Sequence, residues 1–352
     1  ATLTITKEGE NASLTISNQL DGGTSGNKFP LIWNFASLDY STAGLYLNTT
    51  IPTKYTSGTV TTTGFSGEDI TANGLFGLYN RSSWESPFSA TFSTVASYQL
   101  WVADTQVTDN NKNNITGTDT PQVTFTPAEN TNAAKLSLIS AALQGHVISG
   151  VGDLNIYFSG DNSIEGTDTA SVIRSIDTTA KLTFSSANNS KLELSQPDIN
   201  DAYSSIRGFG SMELDENVCI DQRLVPVSYS TTNPDLGLVD DLDKQTPIHN
   251  LTMSSAYQLW VSGEQVSYAN QNSICKGTVG EGKIRFDGDH TLTLDSVPDI
   301  VFDGSYPFIK TSMDLTINLV GESYFDCGSS TFISKLDNDN SDYTVTVNTS
   351  AT

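Results

Sequence analysis

The 352-residue chain carries 40 Asp and Glu against 17 Lys and Arg, a formal net charge of -23, so phosphate backbones and anionic membrane surfaces repel it and nucleic acid is not an expected partner. Only 16% of its residues are charged; the polarity comes from Ser, Thr, Asn and Gly, which suit turns and pleated surfaces better than helices. No apolar run approaches the roughly 18 residues of a membrane span, and the length allows two ordinary domains or one long repetitive one.

In chain order, the sequence opens on a strand-like alternation, TLTIT from Thr2. TLTITKEGENASLTIS from Thr2 is similar to KLTFSSANNSKLELS from Lys181, and IWNFASLDY from Ile32 to IRGFGSMEL from Ile206. ASYQLWVADTQV from Ala96 returns as SAYQLWVSGEQV from Ser255, matching at seven of twelve positions. Further on, KLSLIS from Lys135 corresponds to TLTLDS from Thr291, and DLNIYFSG from Asp153 to DLTINLVG from Asp314. Self-similarity at a fixed offset is the signature of a repeat architecture. The expected unit is about 160 residues, the distance from Ala96 to Ser255. Residues 1–90 then form the C-terminal part of a preceding unit, 91–250 a complete unit and 251–352 the N-terminal part of a further one. A natural protein extending both ways is expected, because a finished repeat array ends in polar caps.

Nearly every periodic segment has period 2: Leu154, Ile156 and Phe158; Leu182 and Phe184; Leu292 and Leu294; Leu315, Ile317 and Leu319; Val345 and Val347. These are strands with one buried face. The Gly, Asn, Asp and Ser clusters between them are too short to hold crossover helices, and no window offers an amphipathic helix. Tandem antiparallel sandwiches and a parallel solenoid both accommodate short, closely spaced strands. Recurring pairs such as Val147-Ile148, Val172-Ile173 and Phe308-Ile309, each followed by a polar step and an alternating strand, favour the solenoid. The predicted fold is all-β, a right-handed parallel β-helix.

The standard catalytic signatures GxSxG, GxGxxG, the P-loop and HExxH are absent, and His146, His249 and His290 stand far apart in unlike contexts. Cys219, Cys275 and Cys327 are in no CxxC spacing and read as buried small hydrophobes. DNDNSD from Asp337 to Asp342 begins like a calcium loop, but Asp342 stands at the sharp-turn glycine position and Asn348 at that of the bidentate Glu. Asp240, Asp241 and Asp243 form a second acidic cluster without fixed geometry. Calcium is thus at most an optional ligand, no catalytic or metal-ligating residue is assigned, and no cofactor is implied.

Aromatic rings stack on sugar faces while amides and carboxylates bond the hydroxyls. Trp101 and Trp260 recur at equivalent repeat positions, which favours packing, yet strand alternation turns one face of each YQLWV segment away from the interior. Tyr157 should face outward between the inward Ile156 and Phe158, and its counterpart is Asn318. Trp33 and Trp84 lack repeat counterparts, which favours exposure. These five residues are the carbohydrate-binding candidates.

The YQLWV…QV opening, followed by the TLTL-type and DLTI-type strands, resembles the β-helical "carbohydrate-binding domain" repeats of large surface proteins from gut anaerobes of the Bacteroidetes and Firmicutes. The likeness covers about 96–200 and 255–347. It implies a right-handed parallel β-helix, export to the cell surface or extracellular space and binding of plant or host polysaccharide, with calcium in some relatives. The first functional expectation is a non-catalytic cell-surface module that binds glycans or mediates adhesion. The alternatives are a structural stalk and a β-helical polysaccharide lyase or glycosidase, which would need carboxylates converging on one outer face.

Overall fold

The computed structural model describes residues 2–17, 32, 37–49, 53–56, 77–80 and 89–349, with breaks at 104, 168–169, 197–202, 222–226, 299, 302–306, 327–329 and 337–340. The protein is all-β. Among the described residues the only helix is the single turn Lys276–Val279, which follows Cys275 at φ 54.

Alternation sets the strand faces, and pairing stacks them in register. Ala134–Ile139, Leu154–Ser159, Lys181–Ser186 and Ser211–Leu214 form one ladder of parallel pairs. Its inward rows run Leu136, Ile156, Phe184 and Leu214, steps of 20, 28 and 30 residues. A second ladder stacks Ala142–Gln144, Asp161–Glu165 and Lys191–Ser195 in parallel. A third stacks Val147–Ser149, Ile173–Ser175 and Ile206–Arg207. Each pass of the chain thus gives one strand to each ladder in turn. The core lies between them: Leu136, Leu154, Ile156, Phe158, Leu182 and Phe184 are each 0% exposed, and fully burying such a side chain stabilises by about 1.5–3 kcal/mol.

Polar side chains fasten the corners. Asn162 is buried; its Oδ1 accepts the Ala141 N–H at 2.9 Å while Nδ2 donates to the carbonyls of Ser159 (3.0 Å) and Gly160 (2.8 Å). Gly160 has φ +70, and a Cβ there would lie 2.4 Å from Ser140 Oγ, so this corner requires glycine.

The same construction recurs. Thr291–Asp295, Leu315–Val320 and Val345–Thr349 form a parallel ladder, with parallel pairs Ile300–Val301 to Phe325–Asp326 and Ile309–Thr311 to Ile333–Lys335. Gly321, at φ +67 and with room for no Cβ, which would lie 2.4 Å from Ser296 Oγ, repeats the Gly160 corner. The hydrophobic side chains gather in three clusters, one drawn from residues 3–92, one from 98–253 and one from 257–333.

Antiparallel strands mark where one cluster gives way to the next. Ser97–Val102 lies antiparallel to Val147–Ser149, and the long strand Leu251–Val261 antiparallel to Lys191–Ser195, Val218–Ile220 and Ile309–Thr311. Both YQLWV segments form a bulged pair with the following strand. Gln106 Nε2 donates to the Tyr98 carbonyl and Gln265 Nε2 to that of Tyr257; Tyr98 meets Phe125 edge-on at 5.0 Å, and Tyr257 meets Phe286 at 4.9 Å.

Candidate functional site

The second ladder turns Asp161, Lys191 and Glu193 to its outer side. Asp161 pairs with Lys191 across the parallel step, and Glu193 pairs with Thr252 across the antiparallel one. Lys191 Nζ bonds Glu193 Oε1 at 2.8 Å, and that bond raises the lysine above its ordinary value. The turn after Glu264–Ser267 brings Tyr268, Gln271 and Asn272 against this face, and the segment after Val218–Ile220 brings Asp221. Together they line an open cleft of about 480 Å³, continuous through Glu193, Asp221 and Thr252 with a smaller one of about 280 Å³. Cavities of a few hundred Å³ accommodate small ligands.

Asp221 is the chemically distinctive group. Its Oδ1 accepts from Ser254 Oγ at 2.6 Å and Ser267 Oγ at 3.2 Å, while Oδ2 is buried with no hydrogen-bond donor among the described residues. Desolvation raises this carboxyl above its ordinary range, opposed by the two hydroxyls. A buried acceptor without a donor is costly. The cleft combines one phenol ring, three carboxylates, an ammonium and two amides, a donor and acceptor set suited to a polyhydroxylated ligand. The periodic pattern of Asp161 and Glu193 is visible in the sequence; the approach of Asp221 and Tyr268 depends on loop paths that carry no local signal.

The described sequence candidates, Trp101, Tyr157 and Trp260, lie in three different sheets. Trp101 is 1% exposed, which corrects its assignment as a sugar platform: its indole Nε1 donates to the Thr49 carbonyl at 2.8 Å, and Gln106 Oε1 beside it accepts the Thr49 N–H at 2.6 Å. The 46–49 strand of the preceding segment covers its outward face. Trp260, at the equivalent position, is half-buried. Tyr157 faces outward, paired between Ser137 and Ser185, but Lys135 Nζ sits 4.0 Å over its ring and leaves it half-buried. Trp33 and Trp84 lie outside the described residues.

Of the acidic clusters, Asp337 and Asp339 lie outside the described residues. Asp240 accepts the Leu242 N–H, Asp241 pairs with Lys244 at 2.6 Å, and Asp243 accepts the N–H groups of Gln245 and Thr246. These bonds are internal to one turn. Among the described residues no three His, Cys, Asp or Glu side chains converge as a metal site. Cys219 and Cys275 are free thiols, pushed by burial to about 11 and about 12. Among the described residues no helix is long and apolar enough to cross a membrane. No protein-family model, curated protein or solved structure matches the chain.

Proposed function

We propose that this chain is a non-catalytic, cell-surface or extracellular module that binds a glycan in the Asp221 cleft, on a parallel β-helix. The stepped parallel ladders support the β-helix reading: each pass of 20 to 30 residues returns the chain to the same ladder one strand further on. Such crossovers are right-handed in almost all proteins. The duplicated YQLWV bulges and glycine corners support the tandem-unit organisation.

The observation that carries the binding reading is the composition of the cleft. Tyr268 offers a flat face, Asp161 and Glu193 accept from hydroxyls, and Gln271 and Asn272 both donate and accept, with Asp221 closing the floor of the cleft. Three carboxylates against one lysine favour neutral or amino-bearing sugars over uronic or sialic acids. Adhesion would follow if that glycan belongs to a host or plant surface. The stalk reading draws on the same stacked ladders and needs no cleft.

A glycan array probed with the wild-type chain and with Tyr268→Ala separates these. Retention of a neutral polysaccharide by the wild type, reduced at least tenfold in the variant, is expected. Retention of no glycan removes the binding function and leaves the stalk.

A further inference from the structure

The chain builds the same antiparallel junction twice, and the two differ at one place. In the later junction Lys191–Ser195, Leu251–Val261 and Val218–Ile220 lie side by side, with Leu192 and Ile220 both opposite Met253. In the earlier one Ser13–Ser17, Ser89–Ser93 and Tyr46–Thr49 do the same, with Leu14 and Leu47 both opposite Phe92. The later central strand is continuous, and beyond Ser254 it stays joined to its neighbour, the Ala256 N–H bonding the Asn217 carbonyl. Its earlier equivalent is interrupted: one strand ends at Ser93 and the next begins at Ser97, so three residues stand where the later junction has Ser255 alone.

A cleft of about 320 Å³ lies at this interruption, lined by Tyr40, Ser41, Gly44 and Tyr46 together with Ser97 and Gln99. Tyr40 stands where the later junction has Leu214, and Tyr46 where it has Cys219. Gly44 stands where it has Asn217, whose Nδ2 donates to the Ser186 carbonyl. Gln258 ties its amide to the Glu216 carbonyl at 3.4 Å, while its equivalent Gln99 lines the cleft. The later junction forms the same three-stranded frame with Leu214, Asn217 and Cys219, so strand pairing does not call for two phenols and a glycine here. Tyr40 is held by an edge-on contact with buried Phe92 at 5.3 Å, and Tyr46 is 43% exposed. Ser97 Oγ donates to the Leu47 carbonyl at 2.9 Å and keeps its lone pairs for accepting.

We propose that this cleft is a second saccharide site, independent of the Asp221 cleft, and that it takes one neutral sugar ring. Clefts of this size hold small ligands. Tyr46 offers its ring to the C–H face of a sugar, and the fixed Tyr40 ring forms a wall beside it. The Gln99 amide and the Ser41 hydroxyl both donate and accept, and Ser97 accepts, a set that matches sugar hydroxyls. Among the described residues the lining holds no charged side chain. Lys7 Nζ, beside Gly44, adds one donor at the edge, while the net charge of -23 turns uronic acids away.

Saturation-transfer NMR with the methyl glycosides of glucose, galactose and mannose tests this on the full Tyr268→Ala chain, in which the Asp221 cleft has lost its ring. At least one glycoside should still bind. Adding Tyr46→Ala should weaken that binding about tenfold, as the loss of one stacking contact does, with an unchanged melting temperature. Adding Gly44→Asn instead installs the residue of the later junction. Asn tolerates the left-handed backbone at φ +66, and among the described residues its Cβ meets Lys7 Nζ alone, at 3.6 Å, so this chain should fold with its cleft filled and show a similar loss. Should Tyr46→Ala unfold the N-terminal segment, Gly44→Asn carries the test. The proposal is overturned if the Tyr268→Ala chain binds none of the glycosides, or if its binding survives either further change in a folded protein. Binding abolished by Tyr268→Ala alone would leave the Asp221 site standing without this one, and binding abolished by Tyr46→Ala alone would leave this site standing without that.

Discussion

Trp101 and Thr49 are joined across 52 positions of sequence by an indole N–H donated to a backbone carbonyl at 2.8 Å. The bond docks the 46–49 strand onto the outward face of the first YQLWV segment, so a side chain on the solvent side of its strand is nonetheless 1% exposed. Trp101→Phe keeps most of the packing but removes the hydrogen bond to the Thr49 carbonyl, for a loss of about 0.5–1.5 kcal/mol. Trp101→Ala should cost about 3–5 kcal/mol. The half-buried Trp260 should lose less on the same change. Urea unfolding of the three variants checks the order, and equal losses at Trp101 and Trp260 would mean that the two segments are equally covered.

Asn162 fastens the corner between successive passes by accepting from Ala141 and donating to Ser159 and Gly160. Asn162→Ala orphans the buried Ala141 N–H, while the Ser159 and Gly160 carbonyls still accept the N–H groups of Ser140 and Lys191, so a loss of about 1–3 kcal/mol is expected. Asn162→Asp should also destabilise, because a carboxylate cannot donate to those carbonyls. A melting temperature within a degree or two of wild type for both would show that water replaces the side chain.

The strands were legible because period 2 is a direct imprint of one buried face: Leu154, Ile156 and Phe158, read as inward, are each 0% exposed. The correspondence of Tyr98 with Tyr257 was legible too, and extends to matched ring contacts. The fate of Trp101 was not. Alternation places a side chain on a face, but whether a distant segment covers that face depends on tertiary docking. The same limit hid the cleft, since Asp221 and Tyr268 reach Glu193 through turns rather than by strand register. Repeat position likewise failed to separate Trp101 from Trp260, whose surroundings differ although their strands pair alike.

The Asp221 carboxyl is raised by desolvation, so the folded state holds its proton more tightly than the unfolded chain does. Its contribution to stability is therefore greatest below the unfolded value of about 3.9 and falls as the pH rises through the folded value. At neutral pH the ionised group opposes folding. Asp221→Asn retains an oxygen to accept from Ser254 and Ser267 and removes that dependence. The variant should melt at or above the wild type at pH 7, and the difference should shrink as the pH is lowered toward 4. A variant that melts lower at pH 7 would mean that the cleft favours the ionised carboxylate.

Tyr157 tests the outward face of the first ladder. Leu154, Ile156 and Phe158 claim the interior, and Tyr157 stands between Ser137 and Ser185 with Lys135 Nζ 4.0 Å above its ring. At a partly exposed site such a cation–π contact contributes about 0.5–1 kcal/mol. Tyr157→Asn installs the residue that Asn318 supplies in the next unit, and unfolding should shift by no more than about 1 kcal/mol. Glycan retention should persist, because Asp161 and Glu193 belong to the second ladder while Tyr157 belongs to the first. A loss of several kcal/mol would mean that the ring contributes to packing and that the inward register of this strand is reversed. Lost retention with unchanged stability would instead move the sugar site to the first ladder, where Lys135 would have to leave the ring before a sugar could stack on it.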